Sequence, residues 1–204
     1  AYLDVLAENF TRLSRTPGHR LQSLADSSFE AWIKYYQPDE STPNLTVSYY
    51  VKGALVALCL DLTLRAEGQG TLDDVMRGLW ARSRGGPISE ADILAVLREV
   101  GGRSYEKEIA AWVHGTGELP LRTLLQRAGV AWQAQMPTMA QRLGVRASES
   151  PLTGIKIGAV LRGSAAEAAG LSAGDEVLGL NDWRIRRLDE AARLLPADGR
   201  ASLL

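Results

Sequence analysis

The sequence predicts an α+β chain of two domains, helical over residues 1–128 and small and mostly β over residues 129–204. Three observations carry this. Apolar residues recur at three- and four-residue spacing as far as about residue 127, short apolar runs between Gly, Pro and Asp take over after Gly129, and 204 residues leave room for two modest domains. The composition, 46% hydrophobic and 23% charged, excludes a disordered or collagen-like chain.

The helical half opens with Leu3, Leu6, Phe10 and Leu13 and closes its first helix at Thr16-Pro17-Gly18. A second helix is expected over 21–36 with Leu24, Phe29, Trp32 and Ile33 buried, and the polar stretch 37–44, with two prolines, is a loop. Over 48–65 the apolar run 54–60 covers the whole circumference of a helix, which predicts a central position with neighbours on most sides. Thr71 with Asp74 and Ser89 with Asp92 are spaced as capping boxes with Asp in place of Glu. The first precedes an amphipathic helix on Leu72, Val75, Met76, Leu79 and Trp80. The second precedes one on Ile93, Leu94, Val96, Leu97 and Val100, stopped by Gly101-Gly102. Shorter helices fit 104–113 and 120–128, the latter with Pro120 at its first position.

In the small half, strands are expected over 130–135, 154–161, 176–180 and 200–204. Ser164 and Glu167 frame a short alanine-rich helix ended by Gly170, and a last helix over 188–195 stops before Pro196. The sequence stops within the final strand, which predicts a truncated or barely complete domain.

Charge and composition narrow the function. A net charge of −1, from 23 basic and 24 acidic residues, lacks the surplus that nucleic-acid binding uses. The single Cys59 excludes an internal disulfide, and two histidines, His19 and His114, cannot form a Cys/His cluster, so no metal site is expected within the chain. His19 should be solvated in its Pro-Gly turn, His114 should cap or pack near a helix end, Cys59 should behave as a small buried hydrophobe, and Asp39-Glu40 should be solvated loop charges. No apolar run reaches the roughly 18 residues of a membrane span, and no secretory signal is recognisable, so a soluble, cytoplasmic chain is expected. Its start, without methionine and already in helical spacing, reads as a piece of a longer protein.

Leu143-Gly144-Val145, followed by Gly163-Ser164-Ala165-Ala166 and by residues 169–175, resembles a PDZ domain of the bacterial protease-associated kind. A Leu-Gly-Val loop before a strand leaves backbone N–H groups for a terminal carboxylate, and the strand's open edge can take an extended peptide. Leu143, Gly144 and Val145 are therefore the peptide-binding candidates, for peptide substrates or protein C-termini. Equally, the domain could only pack against its neighbour.

Tyr50 stands at the mouth of the central helix, after a polar loop. By position it is either a core tyrosine with a satisfied hydroxyl or a donor to a developing oxyanion. Tyr50-Val51-Lys52-Gly53 resembles the Tyr-x-Lys-Gly element of thermolysin-like zinc aminopeptidases. Together with residues 15–24, 28–32, 49–65 and 114–121, it makes nearly the whole chain resemble the glycyl aminopeptidase family, which joins a gluzincin catalytic domain to a C-terminal PDZ domain. The resemblance implies an all-α C-terminal half of a thermolysin-like domain followed by the PDZ domain. It further implies a parent zinc metallopeptidase removing N-terminal Gly or Ala from peptides, in which zinc-bound water attacks and Tyr50 is the catalytic oxyanion donor. The His-Glu-x-x-His motif is absent, since His19 precedes Arg20 and His114 precedes Gly115. The family carries it upstream, so the chain alone is expected to lack the zinc site and to be inactive. The alternative is a non-catalytic helical scaffold whose PDZ module binds protein C-termini.

Overall fold

The computed structural model describes residues 2–150, 152, 154–196 and 199–204. The helical part comprises α1 (Tyr2–Ser14), α2 (Leu24–Phe29), α3 (Thr42–Leu45), α4 (Tyr49–Glu67), α5 (Leu72–Ser83), α6 (Glu90–Gly101), α7 (Glu106–Ile109) and α8 (Leu121–Arg127). At its centre is α4, apolar on every side. Ser48 caps its start by accepting from the Val51 N–H, and Gly68, at φ 68°, ends it in the left-handed conformation that suits glycine. Its two faces serve two cores. Val51, Leu55 and Cys59 pack with Leu13 of α1 and Leu121, Leu124 and Leu125 of α8, while Val56, Leu60 and Leu64 pack with residues of α5 and α6. By length and composition Thr42–Glu67 would suffice to cross a bilayer, yet burial between two cores is what fills that apolar surface here.

Both predicted capping boxes form: the Thr71 N–H donates to Asp74 Oδ2 at 2.9 Å and the Ser89 N–H to Asp92 Oδ2 at 3.0 Å. On α5, however, only Val75 and Leu79 are buried, whereas Met76 and Trp80 of the expected stripe face solvent. The stretch 21–36 departs further. Instead of one helix it follows a 3-10 turn (Pro17–Arg20) and holds α2 and a π-helical turn (Ala31–Tyr35). Phe29, Trp32 and Ile33, expected in the core, are 90%, 80% and 72% exposed, and the small Ser27 and Ala31 take the inward positions. The wider π turn offsets the side-chain register, so the helical spacing read across residues 29–33 does not describe one face. The expected loop 37–44 gives way to α3 at its end, with Asp39 Oδ1 accepting the Ser41 and Thr42 N–H groups. A second π turn (Ala110–His114) extends α7.

The segment 130–135, expected as a strand, forms none. Its apolar side chains go to the helical core instead: Val130 packs there and Trp132 meets Phe10 edge-on at 4.5 Å. Beyond it come α9 (Met139–Leu143), β1 (Val145–Ser150), β2 (Gly154–Val160), α10 (Ala165–Ala168), β3 (Glu176–Val177), β4 (Gly179–Leu180), β5 (Trp183–Arg184) and α11 (Leu188–Leu194). The antiparallel sheet runs β1-β2-β3, and β4 pairs with β5. Strand β2 alternates, burying Ile155, Ile157 and Ala159, with Ile155 and Ile157 packed in one core with Ala166, Leu180, Ile185 and Ala191. β1, with few apolar residues, was not visible as a strand because β2 and not its own pattern holds it. The expected strand 176–180 splits at Leu178, and 200–204 contributes a single bridge, Leu203 to Leu180. Only half of the Ser164 capping box forms, because Glu167 accepts from the Gly163 N–H.

The two parts are joined by polar contacts. Asn44 of α3 donates through Nδ2 to the Val160 carbonyl at 2.7 Å and accepts the Arg162 N–H at 2.8 Å, so its amide mimics a strand at the end of β2. Arg146 of β1 donates to Thr16 Oγ1 at 3.2 Å.

Candidate functional site

Tyr50 is exposed, and its phenol belongs to a cluster of four tyrosines. Tyr35 and Tyr36 arrive from the π turn, Tyr49 and Tyr50 from the first turn of α4. Tyr36 Oη lies 2.9 Å from Tyr49 Oη and 3.3 Å from Tyr50 Oη, and the Tyr49 and Tyr50 rings are 4.2 Å apart. Hydrogen bonding to Tyr36, and then to Tyr49, lowers the Tyr50 pKa, whereas the same pairing raises that of Tyr49. A more acidic phenol is the stronger donor toward a developing negative charge. The Trp32 ring lies 5.1 Å from that of Tyr36, and Trp32, with Phe29 and Ile33 from the same stretch, is exposed, the kind of apolar surface that meets another macromolecule. Tyr50 is thus a surface phenol, and the core-tyrosine reading is corrected.

What positions Tyr50 lies in residues 16–22. Gly18 approaches the backbone so closely that a Cβ there would stand 2.2 Å from the Thr46 carbonyl oxygen, and only glycine fits. Gln22, buried, accepts the Val47 N–H at 3.0 Å and donates to Glu30 at 2.8 Å. The entry to α4 is therefore clamped one residue before its cap. Gln22 was not singled out by sequence; its place in the Pro-Gly-His-Arg-Leu-Gln run was the available signal. His19, expected in solvent, is buried in the same turn; burial first, then Arg20 and Lys52, lower its pKa. Lys52 is buried too and donates to the Gly115 carbonyl at 3.0 Å, tying α4 to the loop after the second π turn.

At the other candidate site, Leu143 ends α9 and Gly144 caps it at φ 74°. The Gly144 N–H donates to the Ala140 carbonyl at 2.9 Å, so it is engaged and not free for a carboxylate, which corrects that part of the loop reading. Val145 pairs with Val160. Strand β1 is the edge of the sheet among the described residues, and the Leu188 N–H at the start of α11 reaches Glu149 Oε1 at 3.2 Å. Tyr50 and this loop sit in different domains. Among the described residues no group of three His, Cys, Asp or Glu converges on a metal position: His114 Nε2 meets Glu90 at 2.6 Å, and His19 lies beside cations. The described residues do not fit a zinc ion.

An α-helical domain with an exposed phenol at the mouth of its central helix is thus joined in one chain to a small sheet-and-helix domain. Residues 132–195 match the PDZ domain model and residues 1–56 the M61 glycyl aminopeptidase model. Together the two matches support the combination of an M61 glycyl aminopeptidase segment and a PDZ domain in one chain. The crystal structure of an aminopeptidase N family protein from Idiomarina loihiensis is similar at 30% identity and a TM-score of 0.83, over 95% of this chain and 35% of that one. The chain thus spans about a third of that protein's length. No curated protein matches it.

Proposed function

We propose that the chain serves in a metallo-aminopeptidase that releases small N-terminal residues, Gly or Ala, from peptides, with Tyr50 donating a hydrogen bond to the oxyanion that forms at the scissile carbonyl. The observation that carries this reading is the exposed Tyr50 hydroxyl, made a stronger donor by Tyr36 and set on an apolar aromatic face. Zinc, which the family resemblance leads us to expect, would be held by residues outside this chain. Within it, Tyr50 donates, Tyr36 and Tyr49 orient and acidify it, and Gln22 and Gly18 fix the helix entry. The apolar face around Phe29 and Trp32 would pack against the rest of the catalytic domain and keep water from the reacting carbonyl. The PDZ domain would take an extended peptide along the open edge of β1.

The test is hydrolysis of glycyl, alanyl and leucyl amides by the parent protein that contains this chain. Faster release of Gly and Ala than of Leu supports the proposal. Absence of any N-terminal release sinks it in favour of a non-catalytic PDZ scaffold.

A further inference from the structure

A cavity of about 290 Å³ lies at the seam between the two domains. Arg12 of α1 and Arg146 of β1 both line it, Tyr35 and Ser48 line it beside the tyrosine cluster, and Leu13, Val47 and Val51 supply apolar wall. No Asp or Glu lines it. Asp39, which meets the lining residue Thr42, spends Oδ1 on the Ser41 and Thr42 N–H groups and the Thr42 hydroxyl. Among the described residues neither arginine forms a salt bridge, and the one side-chain hydrogen bond between them is from Arg146 to Thr16. A guanidinium carries five donors in a fork that matches a carboxylate, so most of this donor capacity is unused. Ser48 Oγ donates to Tyr35 Oη at 3.3 Å, which leaves the phenol proton without an acceptor among the described residues.

We propose that this seam cavity binds a carboxylate carried on a compact apolar body, gripped by Arg12 and Arg146 from the two domains and by the Tyr35 hydroxyl. Two like charges brought together without an acid are a cost unless an anion joins them. Arg146 shows that cost: loss of solvent around it, and then the Arg12 charge, lower its pKa. The apolar wall selects against a bare inorganic anion, and the volume is close to the smallest common ligand pockets, large enough for one residue or two. The carboxylate comes either from a peptide C-terminus or from a free small acid. Bound, it bridges the helical domain and the PDZ domain. None of this depends on catalysis.

Isothermal titration of the full chain with N-acetyl-leucine, N-acetyl-leucinamide and the tetrapeptide Ala-Ala-Ala-Leu tests it. The acid should bind about tenfold or more tighter than the amide, the difference that a charge-assisted pair provides. Arg12→Gln and Arg146→Gln should each remove that preference with the melting temperature unchanged, and Arg12→Lys should keep part of it. Tighter binding of the tetrapeptide identifies a chain terminus as the source, and tighter binding of N-acetyl-leucine a free acid. Equal binding of acid and amide, no binding of either, or a preference that survives Arg12→Gln overturns the site.

Discussion

Tyr36 is the residue on which the character of Tyr50 depends. With Tyr36 removed, the phenol of Tyr50 loses the first cause of its lowered pKa. In Tyr36→Phe, the lowest tyrosine ionisation of the chain should therefore move upward on spectrophotometric titration, and an unmoved curve would contradict the cluster. His19 makes a second prediction. Its folded pKa lies below the ordinary 6.5, so between those two values the unfolded chain holds a proton that the folded chain lacks. Stability should rise with pH across that window and be lost as pH falls from about 6.5 toward the lower folded value. Replacing it in His19→Gln should flatten that slope in urea titrations at successive pH values.

Among the elements, α4 bears most of the weight, because it gives residues to both helical cores. Leu55, fully buried, should cost about 2–5 kcal/mol as Leu55→Ala, whereas loss of a cap in Thr71→Ala should cost about 1 kcal/mol. Denaturant midpoints of the two variants check the order; equal losses would mean that α4 is not central. Its role was legible in the sequence, since residues 54–60 are apolar all round, and so were the capping boxes, which depend on residues three apart. The exposed face of Phe29, Trp32 and Ile33 was not. A π turn leaves no mark in helical spacing, and hydrophobicity alone cannot tell a core face from one that meets another surface. Tyr50 could be singled out by its place before Val51-Lys52-Gly53, but Tyr35 and Tyr36 reach it only through that same turn, so the cluster could not be read in advance. The helix cap of Gly144 was equally hidden: short α9, not the Leu-Gly-Val triplet, decides where its N–H points.

Across the whole molecule the domains meet through few polar contacts, and Asn44 makes two of them. Asn44→Ala would leave the Val160 carbonyl and the Arg162 N–H without it, a loss of about 1–3 kcal/mol. Limited proteolysis should then cut faster in the segment 128–138 that joins the domains, while an unchanged cutting rate would show that the docking rests elsewhere. The proposed oxyanion role of the exposed phenol is tested most directly by the steady-state kinetics of Tyr50→Phe in the parent protein. Loss of an oxyanion donor predicts a kcat lower by about 10²-fold or more with KM nearly unchanged. An unchanged kcat would contradict it.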